Sequence, residues 1–114
     1  MEILGWVLQG LLAVVFLMVG GMKLAGSKMH IENFIKWKYP QWFRIVTGVV
    51  EVTAALLLIV GFWQADFVLI GAILLVACGI GGVITHVRVK DGVKDTMPIG
   101  VLGLLALALA IIVL

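Results

Sequence analysis

Three ionisable side chains lie where an apolar chain gives them little reason to be: Lys23 closing one hydrophobic run, Glu51 inside a second and His86 closing a third. Their chemistry is complementary. A carboxylate can relay a proton, an ammonium can neutralise it or hydrogen-bond a ring carbonyl, and an imidazole changes charge near neutral pH. Glu51 is the most constrained of the three, because the run from Ile45 to Val60 holds only Thr47 and Thr53 as other polar side chains. An ionised group at the centre of a membrane helix costs roughly 2.5 to 3.5 kcal/mol to insert, so such a residue faces a bundle interior and has a partner. Lys23 and His86 are the available partners, which makes Glu51, His86 and Lys23 the candidate catalytic set. The competing reading is a buried pair that only fixes helix register. Gly20, Thr47, Gly48, Gly82 and Thr85 are expected in the same cytoplasmic half of the bundle and are the candidate ligand contacts, since backbone without bulky side chains allows either tight helix contact or a small pocket.

The elements that must position these groups follow from composition. With 64% hydrophobic and 12% charged residues, 114 residues cannot cover themselves with polar surface, and a membrane protein is expected. Four runs reach spanning length: about 3–23, 41–61, 66–87 and 97–114. The fold class expected is all-α, one four-transmembrane-helix domain over 1–114 with a short interfacial helix between the first and second spans. The first run lacks a basic flank and a small-residue cleavage pattern, so it is expected to be a retained helix rather than a secretory signal. All eight Lys and Arg residues flank the first and third connections, while Phe62 to Asp66 carries none. The positive-inside rule then places loops 1 and 3 in the cytoplasm and both termini outside, with the lipid bilayer as the main partner. The net charge of +2 sits beside spans and implies no nucleic-acid partner.

The interfacial segment, about 27–38, repeats Ile31, Phe34 and Ile35 at helical spacing with Ser27 able to cap its start, and Pro40 ends it. His30 on this segment reads as a solvated surface histidine. Trp6 and Trp63 at the outer side, and Trp37, Tyr39 and Trp42 at the inner side, read as interface anchors. Asp95 and Thr96 offer capping oxygens ahead of Pro98, which would open the fourth span. Within the spans, small and polar residues form stripes through which helices can approach. They run through Gln9, Ala13, Phe16, Gly20 and Lys23; through Arg44, Thr47, Gly48, Glu51, Ala54 and Ala55; through Gly71, Ala72, Cys78, Gly79, Gly82, Thr85 and His86; and through Gly103, Ala106 and Ala110. Ile45, Val49, Val52, Leu56 and Ile59 should face lipid. Cys78 is the only cysteine, so it forms no disulfide within the chain, and Glu51 and His86 are too few ligands for a metal site.

Gly20-Gly21-Met22-Lys23-Leu24 at the end of the first span, Tyr39-Pro40 before the second, Gly48-Val49-Val50-Glu51 within it and Thr85-His86 closing the third resemble the DoxX-like family of small four-helix integral membrane proteins. The resemblance covers essentially the whole chain and implies the fold. Some members are named for a subunit of a thiosulfate:quinone oxidoreductase and others are linked to quinones or oxidative stress. It therefore implies a quinone or another lipophile as ligand, and a membrane oxidoreductase or redox-stress system as the setting, with a redox partner protein supplying electrons. Lys23, Glu51 and His86 match the family's polar positions. Two other functions stay open: an assembly or scaffold protein whose polar cluster is purely structural, and a small proton-coupled transporter. The glycine-bearing faces of the third and fourth spans leave a homo-oligomer open as well.

Overall fold

In the computed structural model, described for residues 2–114, five helices follow one another: α1 (Glu2–Ala25), α2 (Lys28–Lys36), α3 (Gln41–Val60), α4 (Asp66–Arg88) and α5 (Val93–Val113). The chain is all-α. Helices α1, α3, α4 and α5 are each long and apolar enough to cross a membrane. They close into a ring in which each packs on its sequence neighbour among the four, α1 against α5 completing the circuit, and α2 lies against α1 and α3 at one end.

Small residues set these contacts, because between helices in lipid close packing replaces the hydrophobic effect as the driving force. A Cβ on Gly20 would stand 3.0 Å from the Gly48 carbonyl oxygen, and one on Gly79 would stand 2.7 Å from the Gly103 Cα, so α1–α3 and α4–α5 touch backbone to backbone. Gly71 meets the Ala54 carbonyl in the same way, joining α3 to α4 in the half of the bundle away from α2. Phe16, Leu12, Leu58, Leu75 and Leu109 fill the centre, and the buried Gln9 Nε2 donates to the Leu58 carbonyl at 2.7 Å. Of the residues expected to face lipid, Val49 and Leu56 are exposed, whereas Val52 and Ile59 are half-buried. Val52 turns inward because its methyl covers the hole left by Gly20.

Three helices at the α2 end stop in the same manner. After α1, Ser27 N–H donates to the Met22 carbonyl with Gly26 at φ 76°; after α2, Tyr39 N–H donates to Phe34 with Lys38 at φ 62°; after α4, Asp91 N–H donates to His86 with Lys90 at φ 63°. Each is a Schellman turn, which satisfies carbonyls a helix end would otherwise orphan. Ser27 caps α2 by accepting from the His30 N–H at 3.5 Å, and Pro40 stands just before α3. The start of the last span departs from expectation. Helix α5 begins at Val93 after Gly92, with no side-chain cap, and Pro98 lies inside it. Thr96 Oγ1 donates back to the Gly92 carbonyl instead of capping a later start. A proline this close to an N-terminus removes only one early hydrogen bond, which the preceding turn tolerates.

Candidate functional site

Lys23 ends α1 one turn past Gly20, and Glu51 lies one turn past Gly48 on α3, so the glycine contact that brings the two helices together also brings the two charges together. Lys23 Nζ donates to Glu51 Oε1 at 2.6 Å. Glu51 is 3% exposed, so its carboxylate is shielded from the surrounding acyl chains, while the Lys23 side chain keeps 15% of its surface exposed. The α1 end is held a second time by Arg44, which is buried beside it. Its Nη1 donates to the Lys23 carbonyl and its Nε donates to Gln41 Oε1 at 2.8 Å, while Gln41 Nε2 reaches the Ile31 carbonyl on α2 at 3.2 Å. A guanidinium on the last carbonyls complements the negative end of the helix.

His86 is placed differently. Its Nδ1 lies 2.7 Å from Asp91 Oδ2, and Asp91 Oδ1 accepts from Lys36 Nζ on α2 at 3.3 Å. The hydrogen bond from His86, aided by Lys36, holds the Asp91 carboxyl below its ordinary range. The expectation of one cluster spanning three helices is corrected accordingly: Glu51 pairs with Lys23, and His86 pairs with the acid that the Schellman turn after α4 delivers to it. Thr85, next to His86, donates its hydroxyl to the Gly81 carbonyl at 2.9 Å. With that single proton committed, the Tyr39 hydroxyl donates to Thr85 Oγ1 across 3.0 Å.

Between these two pairs lies a cavity of about 550 Å³, within the range of small-molecule sites. Lys23, Glu51, Thr47, Gly82, Thr85 and His86 line it, and His30, Asn33 and Phe34 of α2, with Trp37 just after it, form its roof. Gly20 and Gly48 do not line it; they are spent on the α1–α3 contact. Phe34 stacks at an angle on Trp37, Tyr39 and Phe43, and Trp37 stands edge-on to His86 with ring centroids 5.6 Å apart. The roof is clamped on the α4 side by Arg88, whose guanidinium donates to the Trp37 carbonyl and lies 4.6 Å from the centre of the Tyr39 ring.

Two sequence expectations about α2 are overturned here. Trp42, Trp6 and Trp63 are exposed as interface anchors would be, but Trp37 and Tyr39 are half-buried and line the cavity. His30 is buried rather than solvated, and of the apolar residues at helical spacing Phe34 is buried in the bundle while Ile35 is exposed. An interfacial helix has apolar surroundings on two sides, the bundle and the bilayer, so its apolar spacing does not say which side each residue meets. The i, i+4, i+7 series His30, Phe34, Trp37 was the signal available, and a histidine heading it disguised the buried face.

With this geometry in place, the comparison with known proteins is direct: the sequence profile of the DoxX-like family matches residues 7–111. The chain belongs to the DoxX-like family. It is also similar to the uncharacterized protein YdgD of Bacillus subtilis (strain 168), at 30% identity over 73 residues. That match takes in 63% of this chain and 64% of the relative, so the chain covers less than two thirds of YdgD. No solved structure matches. Membership agrees with the four spanning helices, and within the family this chain places its ion pair, its His-Asp pair and its aromatic roof around one cavity.

Proposed function

We propose that this DoxX-like protein is a membrane subunit that binds a lipophilic carbonyl compound of the quinone class in the cavity beneath α2, within a membrane oxidoreductase or redox-stress system. The observation carrying this reading is the pairing of an apolar, aromatic enclosure with ionisable groups already provided with partners on two opposite walls, α1–α3 and α4. Such a site can hold a ring by its faces and address its oxygens at both ends. A quinone fits the donor set: bound there, it would supply two carbonyl acceptors and would become a hydroquinone by taking two electrons from a partner protein's redox centre together with two protons.

The residues divide the remaining work. Lys23 donates at one wall, its ammonium oriented by Glu51. At the other wall Asp91 accepts from His86 Nδ1, which fixes the imidazole so that Nε2 is the nitrogen left to meet a ligand. Asp91 stands in the loop between α4 and α5, and the charge bias of that loop supports placing it at the cytoplasmic surface, from which His86 would draw a proton. Access is sideways. Val46 on α3 and Ala77, Gly81 and Ile84 on α4 line the cavity and are also exposed on the outer face of the bundle, and a Cβ on Gly81 would meet nothing within 4 Å. A lipophile could therefore enter from the bilayer between α3 and α4. The test is binding of a short-chain prenylated benzoquinone by purified protein in nanodiscs. Glu51→Gln is expected to assemble normally and to lose that binding; unaltered binding by the assembled variant would refute the role given to the ion pair.

A further inference from the structure

The roof of the cavity carries one group that the ion pairs do not account for. His30 is 7% exposed, and its Nε2 is a buried nitrogen with no hydrogen-bond partner among the described residues. Leaving a buried polar atom unpaired costs about 1 to 3 kcal/mol, and apolar side chains of the same shape would avoid that cost. The backbone gives no reason for histidine here, because the cap of α2 uses only the His30 N–H. Its neighbours do not satisfy it either: Lys23 is engaged by Glu51, and Arg44 by Gln41 and the Lys23 carbonyl. Burial, with the charges of Lys23 and Arg44 adding to it, pushes the His30 pKa below 6.5, so the ring is neutral at pH 7 and its Nε2 can donate or accept according to tautomer.

We propose that the His30 ring, whose Nε2 is closed off from the cavity, turns on binding so that Nε2 hydrogen-bonds the oxygen-bearing head of the cavity's ligand, fixing a head-under-α2 orientation in which the hydrocarbon tail leaves between α3 and α4. The inference rests on the cavity being a ligand site and adds its polarity: the head lies against His30 under the roof, and the tail passes Ala77 and Gly81 into lipid. Prenyl quinones and acyl lipids with an oxygen head share this chemistry.

The experiment uses full-length protein in nanodiscs with the exposed Trp6, Trp42 and Trp63 replaced by phenylalanine, so that Trp37 reports binding by fluorescence quenching. A benzoquinone with two isoprene units and monoolein are titrated separately into this protein and into its His30→Phe and His30→Gln variants. The expected result is binding about 10-fold weaker in His30→Phe, binding within about 3-fold of the parent in His30→Gln, which keeps a polar atom near the Nε2 position, and a melting temperature of ligand-free His30→Phe equal to or above the parent's. This pattern with monoolein in place of the quinone sustains the proposal and names the acyl lipid as the source. Equal affinity in His30→Phe overturns it while leaving the cavity reading standing. Lowered melting temperatures with binding lost in both variants overturn it in favour of a packing role. Parent protein that binds neither probe overturns the cavity reading itself, and this inference with it.

Discussion

Removing Lys23 while leaving Glu51 in place should be among the most damaging single changes at the site. Glu51 is almost fully buried, its Oε1 lies 2.6 Å from the Lys23 ammonium, and Lys23→Met would leave the carboxylate enclosed without a cation. Breaking a buried pair in this way costs about 3 to 5 kcal/mol. The opposite change is milder. Lys23 lies in the last turn of α1 with its side chain 15% exposed, so in Glu51→Gln the ammonium can swing toward the surface or keep an amide oxygen, at a cost of about 1 to 2 kcal/mol. Replacing both, as Lys23→Met with Glu51→Leu, should return stability to within about 1 kcal/mol of the parent, because no buried charge remains. Unfolding by SDS in mixed micelles, followed by circular dichroism, gives all four free energies of the cycle. A coupling energy above about 2 kcal/mol is expected for groups in direct contact. If Lys23→Met loses less than about 1 kcal/mol, or the double variant loses the sum of the single ones, the carboxylate is not held in a buried pair and the reasoning fails.

Other expectations follow from particular contacts. Gly79→Ala should destabilise the bundle by about 1 to 3 kcal/mol, because its methyl would press on the Gly103 backbone, whereas Gly21→Ala, which meets nothing within 4 Å, should be neutral or gain up to about 1 kcal/mol; equal effects in the same SDS titration would contradict the α4–α5 contact. Lys90→Gly should raise stability by about 1 kcal/mol by relieving a left-handed backbone at φ 63°, and a loss on thermal melting would count against the Schellman turn after α4. Because Asp91's folded pKa is depressed, its hold on His86 and Lys36 is fully present above the ordinary value of 3.8 and is lost as pH falls through the lowered one; amide exchange in α2 should accelerate over that acid range in the parent and not in Asp91→Asn. His30, also lowered in the folded state, contributes stability that is complete above 6.5 and declines as pH falls through its folded value, so His30→Phe should flatten the melting profile between pH 7 and 5; an unchanged slope would place His30 in solvent.

The long elements were legible because length and apolarity are sufficient criteria in a bilayer, and the stripes of small residues located the contacts that Gly20, Gly48, Gly71, Gly79 and Gly103 make. Glu51 announced its burial through cost alone, which left Lys23 and His86 both open as its partner. What sequence could not reveal was the partner of His86. Asp91 reaches it through a left-handed residue, Lys90, whose type gives no hint of that conformation. Val52 misled for a related reason: inside lipid an aliphatic side chain is equally at home against acyl chains or over a glycine, so polarity does not sort the two faces. The roof was hardest to read. Its position over the bundle depends on Arg88, Arg44 and Gln41 reaching backbone carbonyls, and carbonyls carry no residue identity.

The proposed function requires a molecule in the space between Lys23, His30 and His86. A density map at side-chain resolution of the protein purified gently from its native membrane tests this directly. The predicted result is a flat, elongated feature beneath α2, with one end within about 3.2 Å of His30 Nε2 and the other emerging between α3 and α4 past Gly81. Side chains collapsed across that space, with the His30 ring bonded to the protein and no feature between the helices, would contradict it.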